Sequence, residues 1–137
     1  MKKMKIVLIA NDAKKELMIQ FCNAYKGELS KHKLCSTAAT GKMINRETGL
    51  DVMCFLGGYH GGYQQISSLI SCGEIDMVVF FRDGMNPEVT NLAQQDLMRL
   101  CDIQPIPLAT NIATAEMLLH GLKRGDLSWR EIGDPVI

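Results

Sequence analysis

Apolar runs of strand length alternate along the whole chain with longer stretches in which apolar residues recur every three or four positions. The runs at 5–10, 33–36, 52–55, 77–81 and 106–109 predict strands, and the stretches at about 14–25, 41–48, 63–71, 92–101 and 113–122 predict helices. Strands alternating with helices are the pattern of a parallel sheet covered by helices. The expected fold class is therefore α/β: a single doubly wound domain over residues 1–137, with a five-stranded, mainly parallel sheet and helices on both faces. No repeat, low-complexity tract or linker interrupts the pattern. The longest irregular stretches, 56–62 and 82–91, follow the third and fourth strands at their carboxyl ends. Open α/β sheets bind ligands at that edge, near the point where strand order reverses, so these loops are expected to line any site.

Length and charge narrow the picture. A chain of 137 residues holds one sizeable core and not two. Lys plus Arg and Asp plus Glu both number 15, which leaves no net charge to neutralise a phosphate polymer and excludes nucleic acid as the expected partner. The basic start, Met1-Lys2-Lys3-Met4-Lys5, is followed by an apolar run that stops at Asn11-Asp12. That run is too short for a signal-peptide core or a membrane span, so a soluble cytoplasmic protein with no membrane partner is expected. The five cysteines, Cys22, Cys35, Cys54, Cys72 and Cys101, show no C-x-x-C or Cys/His spacing. They read as buried free thiols in a reducing compartment, with no metal site.

Candidate chemistry gathers at the ends of the strands. Asp12 reads as a cap of the first helix, and Lys15 as an ammonium on its first turn facing the same sheet edge. After the second strand, Thr37-Ala38-Ala39-Thr40-Gly41 opens onto a helix start, where free N–H groups and the helix dipole favour an anion; an ordinary capped turn is the alternative. The most unusual segment runs from Leu56 to Gln65, with Gly57, Gly58, Gly61 and Gly62 around Tyr59, His60 and Tyr63. Paired glycines let a backbone come close to a ligand. His60 titrates in the range useful for acid–base work, with an exposed loop histidine as the other reading. Arg82-Asp83 reads as a ligand clamp or, by preference, a structural ion pair. His32 and His120 are assigned no role.

Together these segments resemble methylglyoxal synthase. The matching blocks are Leu8-Ile9-Ala10 with Asp12 and Lys15; Thr37 with Thr40-Gly41; Gly58 with Gly61-Gly62 and Gln64; Phe80-Phe81-Arg82-Asp83; Leu97 to Asp102; and Ile106 to Asn111 through Ala115-Glu116-Met117-Leu118 to Arg124-Gly125-Asp126-Leu127. The resemblance implies conversion of dihydroxyacetone phosphate to methylglyoxal and inorganic phosphate without a metal or organic cofactor, in a homo-oligomer, usually a hexamer. A carboxylate removes a proton beside the carbonyl, an enediolate forms and phosphate leaves. Asp12, Lys15, Thr37, Thr40, Gly41 and Gly58 match the family's substrate and phosphate contacts, and Asp83 matches an acidic residue of its active site. Asn11 and Gly57 stand where the family has a histidine and a serine.

The departures cluster on the acid–base positions. Tyr63 stands where the family carries its catalytic aspartate, and Thr90 and Ala93 stand where a histidine and its supporting aspartate are expected. A general base contributes about 10²–10⁴-fold, and a phenol with a pKa near 10 is a poor one at neutral pH. The leading expectation is a protein that binds a phosphorylated metabolite or inorganic phosphate with lost or strongly altered catalysis. The alternative is an active synthase in which His60 or Glu88 replaces the lost base, with Asp83 beside it. A purely structural scaffold is a third reading. The tail, Ser128 to Pro135, is shorter than in some relatives, and Arg130 within it is a further phosphate candidate.

Overall fold

A computed structural model describes residues 3–127; the tail and Arg130 lie outside the described residues. Five strands form one sheet: β1 (Lys5–Ala10), β2 (Lys33–Ser36), β3 (Val52–Cys54), β4 (Met77–Phe81) and β5 (Leu108–Ala109). Their order is β3-β2-β1-β4-β5 and every neighbouring pair is parallel, so the expected "mainly parallel" sheet is parallel throughout. Six helices surround it: α1 (Lys15–Ala24), α2 (Lys26–Leu29), α3 (Ala38–Thr48), α4 (Gly62–Ser71), α5 (Leu92–Ile103) and α6 (Ile112–Arg124).

The central strands carry apolar side chains on both faces, as a sheet covered on both sides requires. Ile6, Leu8 and Ala10 of β1 face a core that includes Met18 and Phe21 of α1, Ile44 of α3 and Leu119 of α6. Val7 and Ile9 face the other way, into a core with Ile66 and Ile70 of α4 and Leu97 and Cys101 of α5. Phe21 meets Phe81 edge-on, with ring centroids 5.4 Å apart. Burial pushes the Cys22 and Cys35 thiols up to about 12 and Cys101 to about 11, which leaves them unreactive near neutral pH. The expectation of buried thiols fails at Cys54, which is half-buried, and at Cys72, which is exposed.

Element boundaries differ from the sequence reading for local reasons. The last strand is two residues and not four because Pro107 has no N–H for the ladder. The third helix begins three residues early because Gly41 N–H already bonds to the Thr37 carbonyl at 2.9 Å. The short α2 went unread because one turn containing Gly27 carries no periodicity. Residues Asp12–Lys14 form a 3₁₀ turn ahead of α1, so Asp12 is not the helix cap it was expected to be.

Candidate active site

Strand order reverses between β1 and β4, and the carboxyl ends of these two strands are stitched together there. Asn11 N–H donates to the Phe81 carbonyl at 3.0 Å, and Asp83 N–H donates to Asn11 Oδ1 at 2.9 Å. Asn11 is buried for this reason: its side chain satisfies a backbone donor from the neighbouring strand's exit loop. Lys15, at the start of α1, points back over the strand end. Its ammonium donates to Thr40 Oγ1 at 3.0 Å and to the Ala10 carbonyl at 3.4 Å, and lies 3.5 Å from Asp12 Oδ1. The Lys15 side chain is 21% exposed and that of Asp12 94%, so a cation held from below is approachable from solvent beside an exposed carboxylate.

Thr37 and Thr40 place the start of α3 against this cation. Thr37 occupies the N-cap position with extended backbone, and its hydroxyl makes no capping bond. A helix start leaves its first N–H groups without intrahelical partners. Ala38 N–H reaches the Leu56 carbonyl at 3.3 Å, which ties the β2 and β3 exit loops together. Gly41 is glycine for space: a Cβ there would lie 2.6 Å from Cys54 Sγ.

The glycine-rich loop folds as a 3₁₀ turn, Gly58–His60, before α4. The Gly57 carbonyl accepts from His60 N–H at 2.9 Å and Gly62 N–H at 3.0 Å, and Gly61 sits at φ 100°, where a side chain would be strained. Gly58 has the Tyr63 ring against it, since an added Cβ would be 2.4 Å from Tyr63 Cε2. Tyr63 is buried, stacked on Phe80 at 6.4 Å with planes 13° apart. Burial raises its phenol above the ordinary tyrosine range, a hydrogen bond with Gln94 opposes the rise, and Tyr59 and Asp12 add to it. Tyr63 is thus protonated at neutral pH and within electrostatic reach of Asp12.

Asp83 forms no ion pair with Arg82 among the described residues, which corrects the preferred reading of that dipeptide. Its carboxylate accepts from Asn86 Nδ2 at 3.0 Å and Met85 N–H at 3.1 Å. The Asn86 hydrogen bond is the main reason its pKa lies below the ordinary aspartate value; partial burial opposes it, and Lys14 adds a further pull. His60 and Glu88 are both exposed, and no hydrogen bond or ion pair among the described residues joins either to the Lys15 cluster. Sequence reasoning missed Gln94. It forms a capping box with Asn91, accepting from Asn91 N–H at 3.1 Å while its own N–H donates to Asn91 Oδ1 at 2.9 Å. The N-x-x-Q spacing was the available signal. Thr90 is buried nearby, and its hydroxyl has no hydrogen-bond partner among the described residues. No three His, Cys, Asp or Glu side chains among the described residues group as a metal centre would require.

Fold and geometry together define a parallel α/β protein whose switch point gathers one ammonium, two buried hydroxyls, the exposed Asp12 carboxylate and the buried Asp83 carboxylate. Residues 17–110 match the family model of the MGS-like domain. The chain is 57% identical over 132 residues to the methylglyoxal synthase of Caldicellulosiruptor saccharolyticus, covering 96% of this chain and 94% of that protein. It is 54% identical over 129 residues to that of Oceanobacillus iheyensis, covering 94% and 92%. The crystal structure of methylglyoxal synthase from Elizabethkingia anophelis NUHP1 superposes with a TM-score of 0.80 at 35% identity, over 85% of this chain and 77% of that one. The chain belongs to the methylglyoxal synthase family. No helix among the described residues is long and apolar enough to cross a membrane.

Proposed function

We propose that this chain is a lyase of the methylglyoxal synthase type, converting dihydroxyacetone phosphate to methylglyoxal and phosphate, with Asp12 as its base. The names carried by relatives above 50% identity support turnover better than they support loss of catalysis. The observation that carries the reading is the Lys15 ammonium held between Thr40 and Asp12, which sets a phosphate-sized cation site beside an exposed carboxylate. Lys15, Thr37 and the first-turn amides of α3 beyond Ala38 receive the phosphate. Asp12 takes a proton from the hydroxymethyl carbon, and the C–H pair moves to form the enediolate. The hydroxyl proton of the enediolate passes to its other oxygen as that end becomes an aldehyde, the double bond shifts one carbon along, and the C–O pair leaves with phosphate. The remaining enol gives up its hydroxyl proton, takes a proton at its terminal carbon and becomes methylglyoxal.

Asp83 is the weaker candidate for base because its hydrogen bonds favour the ionised form and lower its affinity for a proton. Its place is to fix Asn86 and the β4 exit loop. The reading carries with it a cofactor-free homohexamer in the cytoplasm. Release of methylglyoxal and phosphate in equal amounts from dihydroxyacetone phosphate by the purified protein is the expected result. Binding without release of either product overturns the reading.

One observation favours the second reading, retained binding with lost catalysis: a buried, protonated phenol stands where relatives carry the catalytic aspartate. Tyr63→Asp separates the two. A silent wild type that gains turnover in this variant supports the second reading. A working wild type that changes by less than about tenfold removes it.

A further inference from the structure

At the amino edge of the sheet, the opposite end from Lys15, a cavity of about 650 Å³ opens between β1, β2, β3 and the end of α4. Small-molecule pockets span roughly 300–1,000 Å³. Lys3, Lys5, Lys26 and Lys33 line it, and Asp51 and Glu74 are the carboxylates on its wall. Lys5 and Lys33 are direct register partners on adjacent strands. Like charges placed opposite one another destabilise a sheet, so this pairing has a cost that a bound anion would remove. None of the four ammonium groups is in an ion pair with a described carboxylate.

The rim is fixed and not merely crowded. Met4 N–H donates to His32 Nδ1 at 3.0 Å, and Lys5 N–H donates to Asp76 Oδ2 at 2.9 Å, which pins the backbone between Lys3 and Lys5. The other nitrogen of the buried His32 ring is 2.9 Å from Glu28 Oε2, so this histidine serves the rim and offers nothing to a ligand. On the same face of the sheet as Lys5 and Lys33 the lining is apolar: Cys35, Leu69, Ile75 and Met53, the last 56% exposed although it sits on a strand.

We propose that this cavity is a second ligand site, for an organic anion with an apolar body. The anionic end lies between Lys5 and Lys33, and the body covers Leu69 and Met53 on the same face of the sheet. Cations alone would suit any small anion; the apolar floor beneath them selects one whose remainder avoids water. The site shares no residue with the Lys15 cluster, so it stands whether or not the proposed lyase reaction does.

The test is fluorescence titration of the full-length protein with 8-anilinonaphthalene-1-sulfonate, a sulfonate on an aromatic body. Saturable binding of one probe per chain is expected, weakened by salt and accompanied by a rise in melting temperature, as binding to the native state demands. Lys5→Gln with Lys33→Gln should weaken it at least tenfold, and Lys15→Met should leave it unchanged. Met53→Glu, at an exposed position that folding tolerates, should weaken it at least as much by setting a carboxylate on the floor. A non-saturable signal, a melting temperature lowered by the probe, or equal affinity in Met53→Glu overturns the proposal.

Discussion

Lys15 is held on three sides by oxygen atoms, and this determines what its loss would do. The Thr40 hydroxyl and the Ala10 carbonyl orient the ammonium, while Asp12 shares it from the solvent side. A hydrogen bond to a charged group is worth about 1.5–3 kcal/mol. Lys15→Met is therefore expected to raise KM for dihydroxyacetone phosphate by roughly 10- to 100-fold, with some loss of melting temperature because the buried Thr40 hydroxyl loses its partner. An unchanged KM would remove Lys15 from the phosphate site. Asp83 makes a different kind of prediction. Its carboxyl is held below the ordinary aspartate value in the folded chain, first by Asn86. The stability it adds is thus fully present above the unfolded value of about 3.9 and is lost as pH falls through the lowered folded value. Asp83→Asn should flatten the acid limb of a melting-temperature-against-pH curve and leave its neutral region parallel to wild type. An acid limb of unchanged slope would contradict that assignment.

At the scale of elements, two backbone devices shape the glycine-rich loop and its neighbour. Gly62 opens α4 with no room for a side chain: an added Cβ would lie 2.1 Å from the Leu56 carbonyl oxygen, a backbone atom that cannot swing aside. Gly62→Ala is expected to destabilise the fold by about 1–3 kcal/mol and to displace Tyr63, readable as a lower chemical-denaturation midpoint. An unchanged midpoint would mean that the loop gives way freely. The sequence made the strands legible because continuous apolar runs such as Lys5–Ala10 and Met77–Phe81 leave few alternatives in a doubly covered sheet. It also pointed to the loops after β3 and β4, both at carboxyl ends of strands, as the expected lining of a site. It did not reveal Lys15 meeting Thr40, 25 positions further along, nor the stacking of Tyr63 on Phe80, because neither contact leaves a local pattern. Asp12 was misread as a cap for a related reason: the 3₁₀ turn that displaces it is shorter than any periodic signal.

The whole molecule leaves large apolar side chains uncovered around the carboxyl edge. Leu56 is 53% exposed, Tyr59 88%, Met85 88% and Leu92 81%, all on or beside the loops that follow β3 and β4. Large apolar side chains left in water on neighbouring loops suit contact with another chain, and the proposed homohexamer would cover them. Light scattering is expected to return six times the 15.2 kDa chain mass, and Leu92→Glu should lower that mass. A monomer at micromolar concentration would leave these side chains without the role given them here. If these side chains form the proposed interface, it lies at the same edge of the sheet as the proposed chemistry, so a variant that dissociates the oligomer should also lose turnover.

The central claim is that Asp12, beside the ammonium of Lys15, is the base. Its most direct test is the steady-state release of methylglyoxal from dihydroxyacetone phosphate by wild type and by Asp12→Asn. Measurable turnover is expected in the wild type and a fall in kcat of about 10²-fold or more in the variant, with KM changed far less. A kcat within a few-fold of wild type in Asp12→Asn would contradict it, as would a wild type that binds the substrate and releases nothing.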